Sequence, residues 1–272
     1  MKKEIVSAYG KALLLFLLIP WLINFFVPVV FTFPLSLGFG GAQPSRLFLN
    51  IYSTAVALIG EFCYLLLGKA IEQNMVCKEE NPAEEDQPKS LKKVYASGPK
   101  DIVLYSLASL TLPLLLYSLD ELLGIAGELP KINPIFSLAA LVVAPVIEEY
   151  LFRKVLYMYC KEHGIQRFVL VSALIFSLIH GYSISVAGAI MFVVSYIHTY
   201  FFLATLYAMY RSIYIPIQMH ICWNLTTIVV IGIFHGEKLA PTAFFIISLL
   251  ILLYAIYRII KTKQLMIAEG PI

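Results

Sequence analysis

Charge is scarce in this chain. Aspartate, glutamate, lysine and arginine make up only 14% of its 272 residues, while 60% are hydrophobic; an average soluble domain is about a quarter charged and half apolar. Water is therefore not its main solvent. The four cysteines, Cys63, Cys77, Cys160 and Cys222, form no CxxC pair, which argues against a zinc knuckle or a disulfide framework and leaves them as small apolar packing residues. Twenty basic residues against seventeen acidic ones give a net charge of +3. They form no stripe or arm, so nucleic acid is not an expected partner. There is no internal repeat, no HExxH and no GxSxG. The start, Met1-Lys2-Lys3-Glu4 before an apolar run that continues to Val30, has no A-x-A-like cleavage site and reads as a retained first helix.

Apolar runs are what the chain has in abundance. Runs near the ~20 residues needed to cross a hydrocarbon core recur along its whole length: Lys11 to Phe31, Phe48 to Gly68, Ile102 to Leu123, Ile135 to Tyr159, Phe168 to Tyr182, Ala187 to Tyr210, Ile213 to Phe234 and Thr242 to Ile260. The fifth is short for a full crossing. The expected fold is all-α, a polytopic membrane protein of about eight transmembrane helices forming a single membrane domain over 1–272. Within it, 1–76 holds two N-terminal helices, 77–100 is a charged cytoplasmic loop (KEENPAEEDQPKSLKKVYASGPK from Lys78), and 101–272 is a six-helix part. With the N-terminus inside and eight spans, sixteen Lys and Arg fall on the cytoplasmic side against three outside (Arg46, Lys131 and Lys238), with Arg153 set apart. The positive-inside rule then puts both termini in the cytoplasm. The expected location is the cell (plasma) membrane, with lipids as constant partners.

Ionisable groups inside a span cost roughly 2.5 to 3.5 kcal/mol each on insertion scales, so each needs a partner or a purpose. The exceptions to an apolar interior are Glu61 in the second span, Glu148, Glu149 and Arg153 in the fourth, His180 in the fifth, His198 in the sixth, and His220 with Asn224 in the seventh. At 1.5 Å per helical residue, Glu148, His180 and Asn224 lie roughly 16 to 18 Å from the cytoplasmic ends of their spans and His220 about 10 Å. Three helices thus bring polar groups to comparable depth. Glu149 and Arg153 are i and i+4 and can pair, as can His220 and Asn224; Glu148 is turned about 100° from Glu149 and can face another neighbour. Glu61 and His198 have no such pattern and read as packing or pore-lining residues.

Three motifs stand on successive apolar helices: Glu148-Glu149-Tyr150-Leu151-Phe152-Arg153 fits EExxxR, Phe176-Ser177-Leu178-Ile179-His180 fits FxxxH, and His220-Ile221-Cys222-Trp223-Asn224 fits HxxxN. In this order they resemble the motifs of the CAAX protease and bacteriocin-processing family of intramembrane endopeptidases, also called the Abi family, over roughly Ile135 to Phe234. The resemblance implies an eight-helix fold and hydrolysis of a peptide bond in a cavity open to the cytoplasmic side. It implies Glu148 as the base that activates water, assisted by His180, with His220 and Asn224 as the oxyanion site. Glu149 and Arg153 would hold the motif helix, with Phe176 packing beside His180.

The chemistry is sound on its own terms, because peptide hydrolysis needs a base working near neutrality and donors aimed at a developing oxyanion. Family members are described both as metalloproteases and as metal-independent glutamate-type enzymes. The reading here favours no cofactor; the alternative is a zinc ion held by Glu148, His180 and His220. The expected substrate is a peptide or protein tail near the cytoplasmic leaflet, lipidated in the CAAX branch and a leader or bacteriocin peptide in bacterial relatives. The alternative function is a non-catalytic membrane immunity or regulatory protein of the same fold.

Overall fold

The computed structural model describes residues 10–38, 45–76, 99–123, 139–161, 164–180, 185–233 and 241–268. Among these residues the chain forms eight helical rods and no strand. Rod α1 covers residues 10–38, α2 Arg46–Val76, α3 Pro99–Leu123, α4 residues 139–160, α5 Ile165–Ile179, α6 Val186–Tyr210, α7 Tyr214–Ile233 and α8 Pro241–Ala268. Short polar signals set several of the ends. The Ser45 hydroxyl accepts from Phe48 N–H at the start of α2, and the Ser185 hydroxyl accepts from Gly188 N–H at the start of α6, each occupying a donor that the first helical turn leaves free. Gly164, with φ 99°, makes the turn into α5 that side chains resist. Arg211 ends α6 in the left-handed region, its guanidinium 4.0 Å over the Tyr157 ring.

Three rods are not α-helical throughout. Wider π turns occupy Leu14–Leu18 in α1, Ala139–Val143 and Tyr150–Val155 in α4, and Thr199–Thr205 in α6. Such turns concentrate at functional sites because they change the direction of the side chains that follow. The second π turn of α4 contains Arg153.

Much of the outer surface is apolar, including Trp21, Phe26, Phe62, Val103, Leu250 and Tyr257. A water-soluble monomer does not expose so much. Among the described residues, five rods contain stretches long and apolar enough to cross a membrane: Gly10–Phe31, Leu47–Met75, Lys100–Leu119, Val186–Tyr210 and Thr242–Gln264. The sequence led to an expectation of eight. The other three rods are the ones that carry the motifs: α4 holds Glu148, Glu149, Arg153 and Lys154 within one short stretch, α5 has 15 residues, and α7 is interrupted by Gln218, His220 and Asn224. The charged loop expected over 77–100 lies outside the described residues except at Pro99 and Lys100, which already belong to α3.

Packing follows the polar pins. Rod α3 runs most extensively along α8 and α7. Arg258 of α8 meets Asp101 in the first turn of α3 at 2.8 Å, and Gln218 of α7 donates to the Ser106 hydroxyl at 2.8 Å. On the other side α2 lies against α1 and α4. The Tyr64 hydroxyl donates to the Pro20 carbonyl at 3.2 Å and Tyr52 donates to the Phe31 carbonyl. Tyr150 of α4 donates its hydroxyl to Glu72 of α2, and Lys154 closes the pair at 3.0 Å from the same carboxylate. The interior between the rods is filled by fully buried Phe16, Tyr105, Phe152, Phe168 and Phe202.

Gly68 is what lets α2 approach α4. A β-carbon there would lie 2.7 Å from Cε1 of Tyr150, a ring that cannot step aside without leaving Glu72. Gly68→Val is expected to destabilise the protein by about 1 to 3 kcal/mol, the usual range for overpacking, and a second change, Tyr150→Leu, to recover part of that. Thermal unfolding of the detergent-solubilised protein measures both.

Candidate active site

The site is built around two adjacent glutamates on α4 that the helix sends in different directions. Glu149 is fully buried, and its Oε2 lies 2.8 Å from Nε of Arg153, also fully buried. The i, i+4 pair expected from the spacing is present. Burial of an ion pair is tolerable only with further polar contacts, and Arg153 has several: Nη1 donates to the Ser172 hydroxyl at 2.8 Å and reaches the Phe152 carbonyl at 3.5 Å, Nη2 reaches Glu149 Oε1 at 3.4 Å, and the guanidinium lies 4.6 Å from the centre of the Phe176 ring. Ser172 in turn donates to the Phe152 carbonyl at 2.9 Å. The chain α4–Arg153–Ser172–α4 therefore clips α5 to α4.

The seventh rod joins through His220. Its Nδ1 is 3.0 Å from Glu149 Oε1 and its Nε2 is 3.8 Å from Glu148 Oε2. The imidazole is thus flanked by one carboxylate that is tied to arginine and one that is not. Glu148 keeps 12% of its side chain exposed, and its Oε2 is buried without a hydrogen-bond partner. Four residues further along α7, Asn224 donates its amide to the Ala140 carbonyl at 2.9 Å, in the first π turn of α4. An amide NH₂ carries two donors, so this tether orients the group and leaves its second N–H for another acceptor.

Phe176 is the common floor. Its ring meets His220 edge-on at 5.6 Å, Phe152 at 5.4 Å and His180 at 4.6 Å between centres. His180, at the end of α5, is exposed, and its Nδ1 lies 2.7 Å from the Phe176 carbonyl. With that carbonyl as acceptor the proton sits on Nδ1, and Nε2 is the nitrogen free to act. His180 and Glu148 make no direct hydrogen bond among the described residues. The described His, Cys, Asp and Glu side chains do not gather in threes able to hold a metal ion; His180 and His220 share the Phe176 floor.

All seven residues singled out by the motifs therefore fall on three adjoining rods. Three others escaped the sequence reading. Ser172 sits on the stripe of Phe176 and His180, one and two turns before them, a polar residue at helical spacing that could have been noticed. Glu61, taken as a packing or pore-lining residue, lies within electrostatic reach of Glu148 and His220 from α2, and Tyr64, one turn on, within reach of Glu61 and Glu148. His198 is also within electrostatic reach of His220 and Arg153, with its Nε2 3.3 Å from the Ser109 hydroxyl and its ring 4.5 Å from that of Trp223.

The profile of the family described as type II CAAX prenyl endopeptidase Rce1-like matches residues 130–226. The chain carries an Rce1-like segment. That segment takes in EExxxR, FxxxH and HxxxN and ends two residues beyond Asn224, within the stretch over which the motifs resembled the wider family. It supports a CAAX-type membrane protease as the class to which this part of the chain is similar. No curated protein and no solved structure matches the chain. Rods α1, α2, α3 and α8, and with them Glu61, lie outside the Rce1-like match.

The electrostatics of the clip set its sensitivity. Arg153→Met would leave Glu149 buried without its cation, which is expected to cost about 3 to 5 kcal/mol. Ser172→Ala, which removes one hydrogen bond to a charged group, is expected to cost about 1.5 to 3 kcal/mol. Thermal or denaturant unfolding in detergent ranks them, and a smaller loss for Arg153→Met than for Ser172→Ala would contradict the assignment.

Proposed function

We propose that the protein is an intramembrane endopeptidase of glutamate type that cleaves a peptide or protein tail near the cytoplasmic leaflet. One observation carries the reading. Of two adjacent carboxylates, Glu149 lies 2.8 Å from Arg153 Nε and 3.0 Å from His220 Nδ1, while Glu148 stands 3.8 Å from the same imidazole and, among the described residues, forms no ion pair with arginine. A base must be free to take a proton, and Glu148 is the less committed of the two.

The reaction then divides among the residues as follows. Glu148 removes a proton from water as the water oxygen attacks the carbonyl carbon of the peptide bond, with His180 helping to hold the water through Nε2. In its imidazolium form His220 donates Nδ1–H to Glu149 and presents Nε2–H to the space beside Glu148. That N–H and the second N–H of Asn224 take the oxyanion. Collapse breaks the C–N bond, and Glu148 returns the proton to the departing amine. Arg153 and Glu149 act by fixing His220. The chemistry runs without a metal on this reading, the zinc alternative being a set drawn from Glu148, His180 and His220.

The family match supports a substrate like the tails that CAAX prenyl endopeptidases process, and the compact spacing of the motifs fits an unmodified leader or bacteriocin peptide equally well. The single membrane domain is proposed to span the cell (plasma) membrane eight times, α4, α5 and α7 crossing within the shelter of their neighbours, with both termini and the 77–100 loop in the cytoplasm. In a variant with its native cysteines replaced, a cysteine at Ser90 should react with an impermeant thiol reagent only from the cytoplasmic side. Labelling from outside would invert the topology.

Purified protein incubated with a library of prenylated and unmodified peptides should yield hydrolysis products by mass spectrometry. Glu148→Ala, His180→Ala and His220→Ala should abolish them with insertion intact, and Asn224→Ala should lower kcat by about 10² to 10³, the usual cost of one oxyanion donor. Activity should survive a chelator. Full activity in Glu148→Ala would overturn the assignment of the base, and cleavage by no variant and no wild type would turn the reading to the non-catalytic immunity or regulatory protein.

A further inference from the structure

One buried histidine has no part in the reaction as divided above. His198 lies in the interior on α6, immediately before the π turn at Thr199–Thr205. Its Nε2 is 3.3 Å from the hydroxyl of Ser109 on α3, which is also buried. Its ring lies 4.5 Å from that of Trp223 on α7, and 5.8 Å from that of Phe202, one turn along its own rod. An imidazole taken out of water needs a hydrogen bond that leucine or phenylalanine in the same space would not. What histidine adds over those two is a ring that packs against an aromatic while a bond to another helix fixes its height.

Trp223 is the residue before Asn224. With 3.6 residues per turn, His220 and Asn224 share one face of α7, Trp223 stands about 60° to one side of His220, and Gln218 lies about 160° round, close to the opposite face. Each direction has its own partner. His220 and Asn224 meet α4 at Glu149 and the Ala140 carbonyl, Gln218 meets α3 at Ser106, and Trp223 meets α6 at His198. Ser106 and Ser109 are i and i+3, neighbours on one face of α3. The Gln218–Ser106 and His198–Ser109 contacts therefore refer α7 and α6 to the same short stretch of one rod. The packing of His198 on Trp223 closes that triangle. The two tethers to α4 lie along a single face, and a helix held along one face can still rock about it. Gln218 is a long side chain that follows such a motion, whereas an indole against a hydrogen-bonded imidazole resists it.

Resting on the protease reading, we propose that His198 is a positioning residue for the oxyanion site: by clamping Trp223 it fixes the rotation of α7 that aims His220 Nε2 and the second N–H of Asn224. His198 touches neither substrate nor reacting atoms, and it takes no proton during the cycle. It stands outside EExxxR, FxxxH and HxxxN, though within the Rce1-like segment at 130–226.

Kinetics with a cleaved peptide give the first readout. His198→Leu, which keeps neither ring nor bond, should lower kcat by about 100-fold with KM within about 2-fold of wild type, the scale on which a displacement of about 1 Å slows a reaction. His198→Phe, which keeps the ring alone, should lose about 10-fold. A merely structural role also slows an enzyme, so a double-mutant cycle decides between them. In the wild type, Asn224→Ala removes a well-aimed donor, at about 10² to 10³ in kcat. In His198→Leu that donor is already misdirected, and the same change should cost less than about 10-fold. Phe16→Leu, a core change in α1 where the ring packs on Tyr159, should leave the full cost of Asn224→Ala. Additive effects of His198→Leu and Asn224→Ala would overturn the proposal. The second readout needs no turnover. The chain has two tryptophans, Trp21 and Trp223, so in a Trp21→Phe background the fluorescence anisotropy decay reports Trp223 alone. His198→Leu should add a fast rotation of the indole, and an unchanged decay would overturn the proposal. A freed indole in a protein that cleaves no peptide would uphold the clamp on α7 and remove the protease. Cleavage by wild type with an additive cycle would do the reverse.

Discussion

Arg153 has no surface open to its surroundings, yet it carries a permanent charge and five N–H donors that must be answered from within. Meeting that demand organises the centre of the molecule. Its partners come from its own rod (Glu149), from the next (Ser172 and Phe176), and, through Glu149, from the seventh (His220). A buried ion pair is seldom a net gain in stability over apolar packing. What it gives here is definition: once Arg153 is placed, Glu149 is placed, and with it the ring of His220. The freedom left to Glu148 is the complement of the constraint on its neighbour.

The division of labour between adjacent residues is a matter of helical phase. Successive side chains point about 100° apart, so two glutamates in a row cannot serve one partner. One is drawn into the arginine network and the other is left to the open side of His220. The result is a site whose stabilising and reactive carboxylates differ in surroundings although they are chain neighbours. Environment, more than residue type, sets their roles, a general way for one chemical group to do two jobs.

Much of this could be read in the sequence because it depends on short spacings. Glu149 and Arg153 at i, i+4, and three motifs on successive apolar runs, need only helix periodicity to be recognised. The tertiary pairings were hidden for a physical reason. That His220 reaches Glu149, that Asn224 is tied to the Ala140 carbonyl, and that Tyr150 reaches Glu72 all depend on how far rods approach and how they are rotated. Gly68 controls one such approach, but a glycine in an apolar helix has many explanations until its neighbour is seen. The π turns were equally invisible, since no residue pattern in 139–143 or 150–155 announces them. The span count shows the other side of the same problem: α4, α5 and α7 are the rods on which the motifs put polar groups or which are short, and hydropathy weakens where the chemistry is.

The π turns carry a consequence for change by insertion and deletion. A wide turn holds one residue more than the regular helix would need to cover the same height, so it stores a phase shift in the rod. Removing Val155, the last residue of the second π turn of α4, would let that segment relax to ordinary helix, and everything beyond it, including Tyr157 toward Phe168 and Tyr207, would be re-indexed against a front half still fixed by Ala140. A lineage that lost that single codon, which lies outside EExxxR, would exchange one set of facing partners for another while leaving every motif intact. Alignment by motif alone would then pair residues that no longer occupy equivalent faces.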